Sequence, residues 1–96
     1  MPPTGKDLAH ETVQIRDLIP QLLAKSRDYS VDTAAAKTLS CLLADCKSLT
    51  PTERDTIRAD RASLREQSEH HAEQLDALET KLTQALNRLI DMLSET

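Results

Sequence analysis

The fold is decided by residues 51–96, which read PTERDTIRADRASLREQSEHHAEQLDALETKLTQALNRLIDMLSET. After Pro51 this stretch contains neither glycine nor proline, and apolar residues recur at intervals of three and four. That spacing is typical of an amphipathic helix. Thr50, Pro51 and Glu53 form the sequence pattern of a capping box, with proline at the first helical position. We therefore expect one helix over residues 51–94, roughly 65 Å long at 1.5 Å per residue.

The first helix is predicted over residues 6–28, after a flexible tail at residues 1–5. Its apolar residues Leu8, Ile15 and Leu22 recur every seven positions. Pro20 removes a backbone donor and clashes with the preceding turn, so we expect either a kink near residues 16–19 or two short helices.

The second helix is predicted over residues 31–48, with Ser30 or Asp32 as its N-cap. Its apolar positions are spaced four and three apart, and they predict a buried seam at Ala35, Leu39, Leu42, Cys46 and Leu49. A tight turn at Leu49–Thr50 then brings this helix back against the long third helix as an antiparallel hairpin.

These elements predict a single all-α domain over residues 1–96. It would be a helical hairpin, extended to a three-helix bundle, with a long C-terminal coiled-coil-like helix. The chain has fifteen leucines, one tyrosine and no phenylalanine or tryptophan, and this composition suits narrow helix–helix seams. No stretch alternates with the period of two that is typical of strands.

Charge and hydropathy argue against several classes of protein. A net charge of −4 is unlike the basic surface of a nucleic-acid-binding protein. No apolar run approaches the length of a membrane span, and the charged N-terminal region does not resemble a signal peptide, so a cytoplasmic protein is expected. Cys41 and Cys46 lie five apart, which matches neither a zinc motif nor a disulfide framework, so both should be reduced thiols.

The strongest functional prediction concerns the C-terminal half of the long helix. Two shorter helices could cover only part of it, which would leave an apolar surface for another protein. The candidate partner-binding leucines are Leu75, Leu78, Leu82, Leu86, Leu89 and Leu93.

Two charged stripes precede and overlap that surface. The basic stripe contains Arg54, Arg58, Arg61 and Arg65, and the acidic stripe contains Glu66, Glu69, Glu73, Asp76 and Glu79. Three interpretations remain open. The stripes are a solvated face, or they set the register of a partner helix, or the arginines bind an anion. In an antiparallel homodimer, each basic stripe would lie along the partner's acidic stripe.

Catalytic and metal-binding patterns find little support. Adjacent His70 and His71 point about 100° apart on a helix, and no chelating motif surrounds them. His71 falls on the apolar seam, where a polar notch that sets register is the simpler interpretation and a pH-sensitive contact is an alternative. With one glycine, the chain has no phosphate-binding loop. We expect no enzyme activity, no cofactor and no metal.

The sequence thus favours a protein–protein interaction protein, an adaptor or assembly subunit that acts as a homodimer or a hetero-oligomer subunit. A small acidic regulatory inhibitor, or a chaperone that sequesters its partner, is the alternative. In outline the chain resembles export chaperones of flagellar and type III secretion systems, and also small subunits of coiled-coil cytoskeletal or kinetochore complexes. No residue motif is specific to either group.

Overall fold

The computed structural model describes residues 4–95 and contains, in that range, two helices. Helix α1 spans Gly5–Asp45, and helix α2 spans Pro51–Ser94. The all-α prediction is confirmed, and so is the long C-terminal helix. The three-helix bundle is wrong, because the two predicted N-terminal helices are one continuous helix.

The continuity of α1 follows from a heptad pattern that runs through the predicted break. The repeat that begins with Leu8, Ile15 and Leu22 continues in steps of seven through Tyr29, Ala36 and Leu43. No glycine or proline lies between residues 21 and 45. The polar residues near position 30, which suggested a turn and a new N-cap, are helical because α2 packs alongside the whole length of α1.

Pro20 does not end the helix either. Its ring lies on the exposed side of α1, where water can reach the carbonyl that loses its backbone donor. Nearby, the side-chain amide of Gln21 donates a 3.0 Å hydrogen bond to the carbonyl of Asp17. The predicted kink therefore does not interrupt the helix.

Each helix begins with a complete capping box. The Thr50 hydroxyl accepts from the Glu53 amide at 3.2 Å, and the Glu53 carboxylate accepts from the Thr50 amide at 3.1 Å. Thr4 and Asp7 make the same pair of bonds at the start of α1. The backbone bond from each threonine lowers the pKa of Asp7 and of Glu53. Of the predicted flexible tail, Thr4 and Gly5 belong to this ordered start, and residues 1–3 lie outside the described range.

The two helices pack antiparallel, as the predicted hairpin requires. Hydrogen bonds fix their register at three levels: near the turn between Arg54 and Leu43, at mid-length between Thr33 and Ser68, and near the termini between Arg88 and Glu11. The hairpin is a rod of 70 × 15 × 14 Å.

The buried core of this rod is thin. Among residues 4–95, only Ala36, Ala85 and Glu11 are fully buried, and the remaining seam residues are half-buried. The predicted seam of the second helix is shifted by one residue in two places. Leu42 is 38% exposed, whereas Leu43 is less so, and Ala36 rather than Ala35 is the buried alanine.

The rod exposes more surface than a compact protein of its mass. Its accessible area is 6952 Å², whereas a compact 10.7 kDa monomer exposes about 5,500 Å². Its radius of gyration is 21.1 Å, against about 13 Å for a globular domain of this length. A second chain could cover this additional surface.

Candidate interaction surface

The hairpin has two long sides, which differ in chemistry. On one side, a groove between the helices is lined by polar residues that recur every seven positions, namely Gln14, Gln21, Lys81 and Arg88. On the opposite side, nearer the turn, Thr33, Lys37, Ser40, Arg65 and Ser68 line another groove. Positions seven residues apart lie on the same side of a coiled coil. The residues that line each groove therefore show which heptad positions lie on that side along the whole rod.

The second side becomes apolar toward the chain termini. Ile19 and Leu23 stand two heptads before Thr33 and Lys37 on α1. Leu86 stands three heptads after Arg65 on α2, and Ile90 follows one turn later. All four aliphatic side chains are exposed, Leu23 by 64% and Ile90 by 57%. We call Ile19, Leu23, Leu86 and Ile90 the apolar side face.

The six predicted partner-binding leucines divide between the seam and the surface. Four are half-buried on the side of α2 that faces α1: Leu75, Leu78, Leu82 and Leu89. The other two, Leu86 and Leu93, are exposed. We expected two shorter helices to cover only part of the long helix, and this expectation is wrong, because α1 is nearly as long as α2. The exposed apolar surface is therefore narrower than the predicted one.

The basic stripe is also divided. Arg54 is half-buried, and its guanidinium donates to the carbonyls of Leu43 and Cys46 at 2.9 and 2.8 Å, which satisfies acceptors at the C-terminal end of α1. Arg61 and Arg65 approach the Ser40 hydroxyl at 3.4 and 3.5 Å.

The remaining arginine, Arg58, is exposed and bonds Asp55 within its own helix at 3.2 Å. Arg54, Arg61 and the more exposed Arg65 therefore contact α1, whereas Arg58 contacts only its own helix.

The acidic stripe lies on the outer surface of α2, where Glu66, Glu69, Glu73, Asp76 and Glu79 are all exposed. Glu73 lies 3.8 Å from His70 on the same helix. Exposed pairs of this kind contribute about 0–1 kcal/mol each. These carboxylates are therefore available to solvent or to a basic partner.

His71 lies on the seam, as its position in the repeat predicts. Its Nε2 is 3.3 Å from a carboxylate oxygen of Asp32, and both side chains are mostly buried. Beside them the hydroxyls of Thr33 and Ser68 lie 2.9 Å apart. Asp32 of α1 therefore faces Nε2 of His71 across the seam, whereas Nδ1 of His71 is buried without a hydrogen-bond partner. Among residues 4–95, no group of three His, Cys, Asp or Glu side chains is arranged to hold a metal.

A second polar contact crosses the seam near the termini. The Glu11 side chain is buried, and its Oε1 accepts a 2.9 Å hydrogen bond from Nε of Arg88. Another nitrogen of Arg88 donates to Gln14 at 3.2 Å. This contact places a charged pair inside an otherwise aliphatic section and fixes the alignment of the two helix ends.

Both cysteines carry free thiols. Cys46 is the C-cap residue of α1, and its sulfur lies 3.3 Å from the Ser48 hydroxyl. That contact lowers the pKa of the Cys46 thiol. In the structure Arg54 bonds the carbonyl of the same residue, so Cys46 belongs to the turn between the helices.

Sequence reasoning missed the contribution of α1 to the exposed surface. Ile19 and Leu23 both fall within the predicted first helix, but neither was assigned to an exposed surface. The available signal was their spacing of four, with Leu23 directly after Leu22 and Ile19 directly after Leu18. Glu11 also fits the seam, four residues before Ile15, but its charge concealed it.

Comparison of the chain with models of protein families, with curated proteins and with solved structures found no match. In residues 4–95, neither helix contains a stretch long and apolar enough to cross a membrane. Function is therefore inferred from the geometry of the hairpin.

Proposed function

We propose that this chain is a non-enzymatic interaction protein, an adaptor or assembly subunit that docks another protein through the C-terminal half of α2. The observation that carries the proposal is the exposure of Leu86 and Ile90 on the side of α2 that α1 leaves uncovered. Two adjacent aliphatic side chains at a spacing of four are the usual anchors of helix-mediated binding.

The neighbouring residues support a docking surface rather than scattered exposure. Ile19 and Leu23 of α1 lie on the same side of the rod, so both helices contribute to one patch near the chain termini. The opposite side presents Gln14, Gln21, Lys81 and Arg88 to solvent. Since one side is apolar and the other polar at the same level, a partner would cover the apolar side.

A pull-down tests this proposal. Tagged wild-type protein and its Ile90→Glu and Val31→Glu variants would be compared as baits in extracts of the native host. Val31 is 59% exposed and lies outside the apolar side face, so it is a matched control for Ile90. Proteins retained by the wild type and by Val31→Glu, but lost with Ile90→Glu, are expected. Binding that is equal for all three baits would contradict the proposal.

The alternative function, a regulatory inhibitor or chaperone that sequesters a basic partner, is favoured by one observation. The side chains of Glu66, Glu69, Glu73 and Asp76 are all exposed on one helix. Salt separates the two functions, because apolar docking survives about 0.5 M salt whereas charge-driven binding weakens steeply. The proposal keeps the intracellular location that the sequence predicts, which cell fractionation would check.

A further inference from the structure

We infer that the groove between the helices near the turn binds a single phosphate group. Its binding residues would be Lys37 and Ser40 of α1 with Arg61 and Arg65 of α2. The groove lies in the turn half of the rod, whereas the apolar side face lies near the chain termini. The site is therefore independent of the docking function proposed above, and each can fail without the other.

The two guanidinium groups of the site converge on one uncharged oxygen. Nη1 of Arg61 lies 3.4 Å from Oγ of Ser40, and Nη2 of Arg65 lies 3.5 Å from the same atom. Both distances exceed the usual range of about 2.7–3.2 Å for an N–H···O hydrogen bond. Since each guanidinium carries several N–H donors, one hydroxyl satisfies few of them. An acceptor with several oxygens would bond both arginines at once.

The two arginines also lack a negative partner. In the part of the chain from residue 4 to residue 95, neither Arg61 nor Arg65 pairs with a carboxylate, whereas Arg58 on the same helix pairs with Asp55. Because both contact the same oxygen, the two donor nitrogens are at most about 7 Å apart, and their charges repel each other. An anion bound between them would replace this repulsion by attraction.

The groove beside the arginines supplies space and further donors. Its volume is about 300 Å³, and hydroxyl groups and cations dominate its lining, which consists of Thr33, Ala36, Lys37, Ser40, Arg65 and Ser68. Lys37 precedes Ser40 by three residues, so both lie on one face of α1. Its ammonium group adds a third positive charge. Charged donors of this kind make the strongest hydrogen bonds to phosphate oxygens.

The surroundings of the groove favour a small anion over a polyanion. Glu66 and Glu69 follow Arg65 on α2, and both are exposed. A nucleic acid or an anionic membrane would bring more negative charge against these carboxylates, at distances where repulsion is not screened. A single phosphate group would contact only the three cations. Inorganic phosphate and small phosphate monoesters are therefore the ligands that fit.

Binding would also hold the two helices together. Lys37 and Ser40 precede the turn, whereas Arg61 and Arg65 follow it, so the complete site exists only in the folded hairpin. A ligand that binds only the folded state raises its stability in proportion to the logarithm of ligand concentration. The melting temperature of the wild type should therefore rise with phosphate concentration at constant ionic strength.

An NMR titration of the nitrogen-15-labelled protein with inorganic phosphate tests the site, with sodium chloride adjusted to keep the ionic strength constant. At about pH 7.5 phosphate carries nearly two charges. The wild type should bind it in about the millimolar range, which so small a ligand can reach, with the largest shifts at Lys37, Ser40 and Arg65. Arg65→Gln should weaken binding at least about 10-fold, because it removes a charged donor.

Arg58→Gln is the matched control, since Arg58 lies seven residues before Arg65 on the same side of α2 and bonds Asp55 instead of α1. It should bind phosphate as the wild type does. Equal weakening by both substitutions would mean that phosphate responds only to overall charge, and it would overturn the inference. Absence of saturable binding by the wild type would do the same. If circular dichroism shows lost helix in Arg65→Gln, the exposed Lys37→Gln variant takes its place with the same expected weakening.

Two further ligands separate the possible sources of the phosphate group. Glycerol phosphate should bind as inorganic phosphate does and should fail to bind Arg65→Gln. Vesicles of equal parts phosphatidic acid and phosphatidylcholine should not carry the protein down on centrifugation. Sedimentation with these vesicles, without binding of glycerol phosphate, would overturn the assignment of a small phosphate ligand.

Discussion

The buried pair of Glu11 and Arg88 gives the sharpest prediction about stability. Glu11 is 6% exposed, and its Oε1 receives a 2.9 Å hydrogen bond from Arg88 while Oε2 has no partner. Arg88→Met would leave a buried carboxylate without its cation. Loss of one member of a fully buried pair costs about 3–5 kcal/mol, and since Arg88 is half exposed we expect about 2–3 kcal/mol here.

The converse substitution should not destabilise the hairpin. Glu11→Leu replaces the carboxylate by an aliphatic side chain on a seam that already contains Leu8 and Ile15. Full burial of a leucine contributes about 1.5–3 kcal/mol, and no ion has to be desolvated. We therefore expect Glu11→Leu to lie between unchanged stability and a gain of about 2 kcal/mol. The double variant with Arg88→Met should resemble Glu11→Leu alone.

Urea denaturation followed by circular dichroism at one fixed protein concentration measures these differences. A loss below about 0.5 kcal/mol for Arg88→Met would show that the pair is not coupled, and it would refute the reasoning. A loss above about 1 kcal/mol for Glu11→Leu would instead mean that the carboxylate is needed for the fold.

Three further predictions concern the turn end of the rod and its caps. Arg54→Ala should cost about 2 kcal/mol in thermal or urea unfolding, because it removes two charge-assisted bonds to α1 carbonyls; Arg58→Ala, which removes one exposed pair, should cost less than about 1 kcal/mol. Leu43→Ala should destabilise the hairpin more than Leu42→Ala, since Leu42 is 38% exposed. Equal losses of stability would contradict the assignment of Leu43 to the seam. Hydrogen bonding to Thr50 lowers the pKa of Glu53 in the folded state below its ordinary value of 4.5. The ionised carboxylate therefore stabilises the folded state at pH values above 4.5, and this stabilisation is lost as the pH falls through the lower pKa of the folded state. Melting temperatures measured from pH 6 to pH 2.5 should fall less for Glu53→Gln than for the wild type, and parallel curves would contradict the cap.

The long C-terminal helix could be predicted from sequence because its signals are local. Thr50, Pro51 and Glu53 mark its start within four residues, and both predicted capping bonds are present. Periodicity places Leu75, Leu78, Leu82 and Leu89 on one apolar face, although the sequence analysis assigned that face to another protein and the structure places it against α1.

The first half of the chain was mispredicted because its local signals conflict with its tertiary contacts. Pro20 and Ser30 are ordinary marks of helix ends, yet the helix passes through both. Packing of α1 against α2, which is of similar length, outweighs these local preferences. The heptad repeat from Leu8 to Leu43 predicts one continuous helix. Its large aliphatic residues are interrupted at Tyr29 and Ala36, which concealed the repeat.

The candidate surface was only partly accessible to sequence reasoning. Periodicity placed Leu86 and Leu93 with the other leucines, and only the pairing with α1 separates the exposed ones from the buried ones. The role of Arg54 as a cap on α1 could not be predicted either. It depends on where α1, which begins at Gly5, ends.

The central claim is that residues 5–45 form one helix, because the hairpin register and the apolar side face both depend on it. Pulsed electron paramagnetic resonance between spin labels at Arg16→Cys and Ala44→Cys measures this directly. Cys41 and Cys46 would be replaced by serine, and labelled chains would be diluted with unlabelled protein. An unbroken α1 predicts a separation of roughly 42 Å, from 28 residues at 1.5 Å each. A separation below about 20 Å would mean that the chain turns back near residue 30, and it would contradict the hairpin.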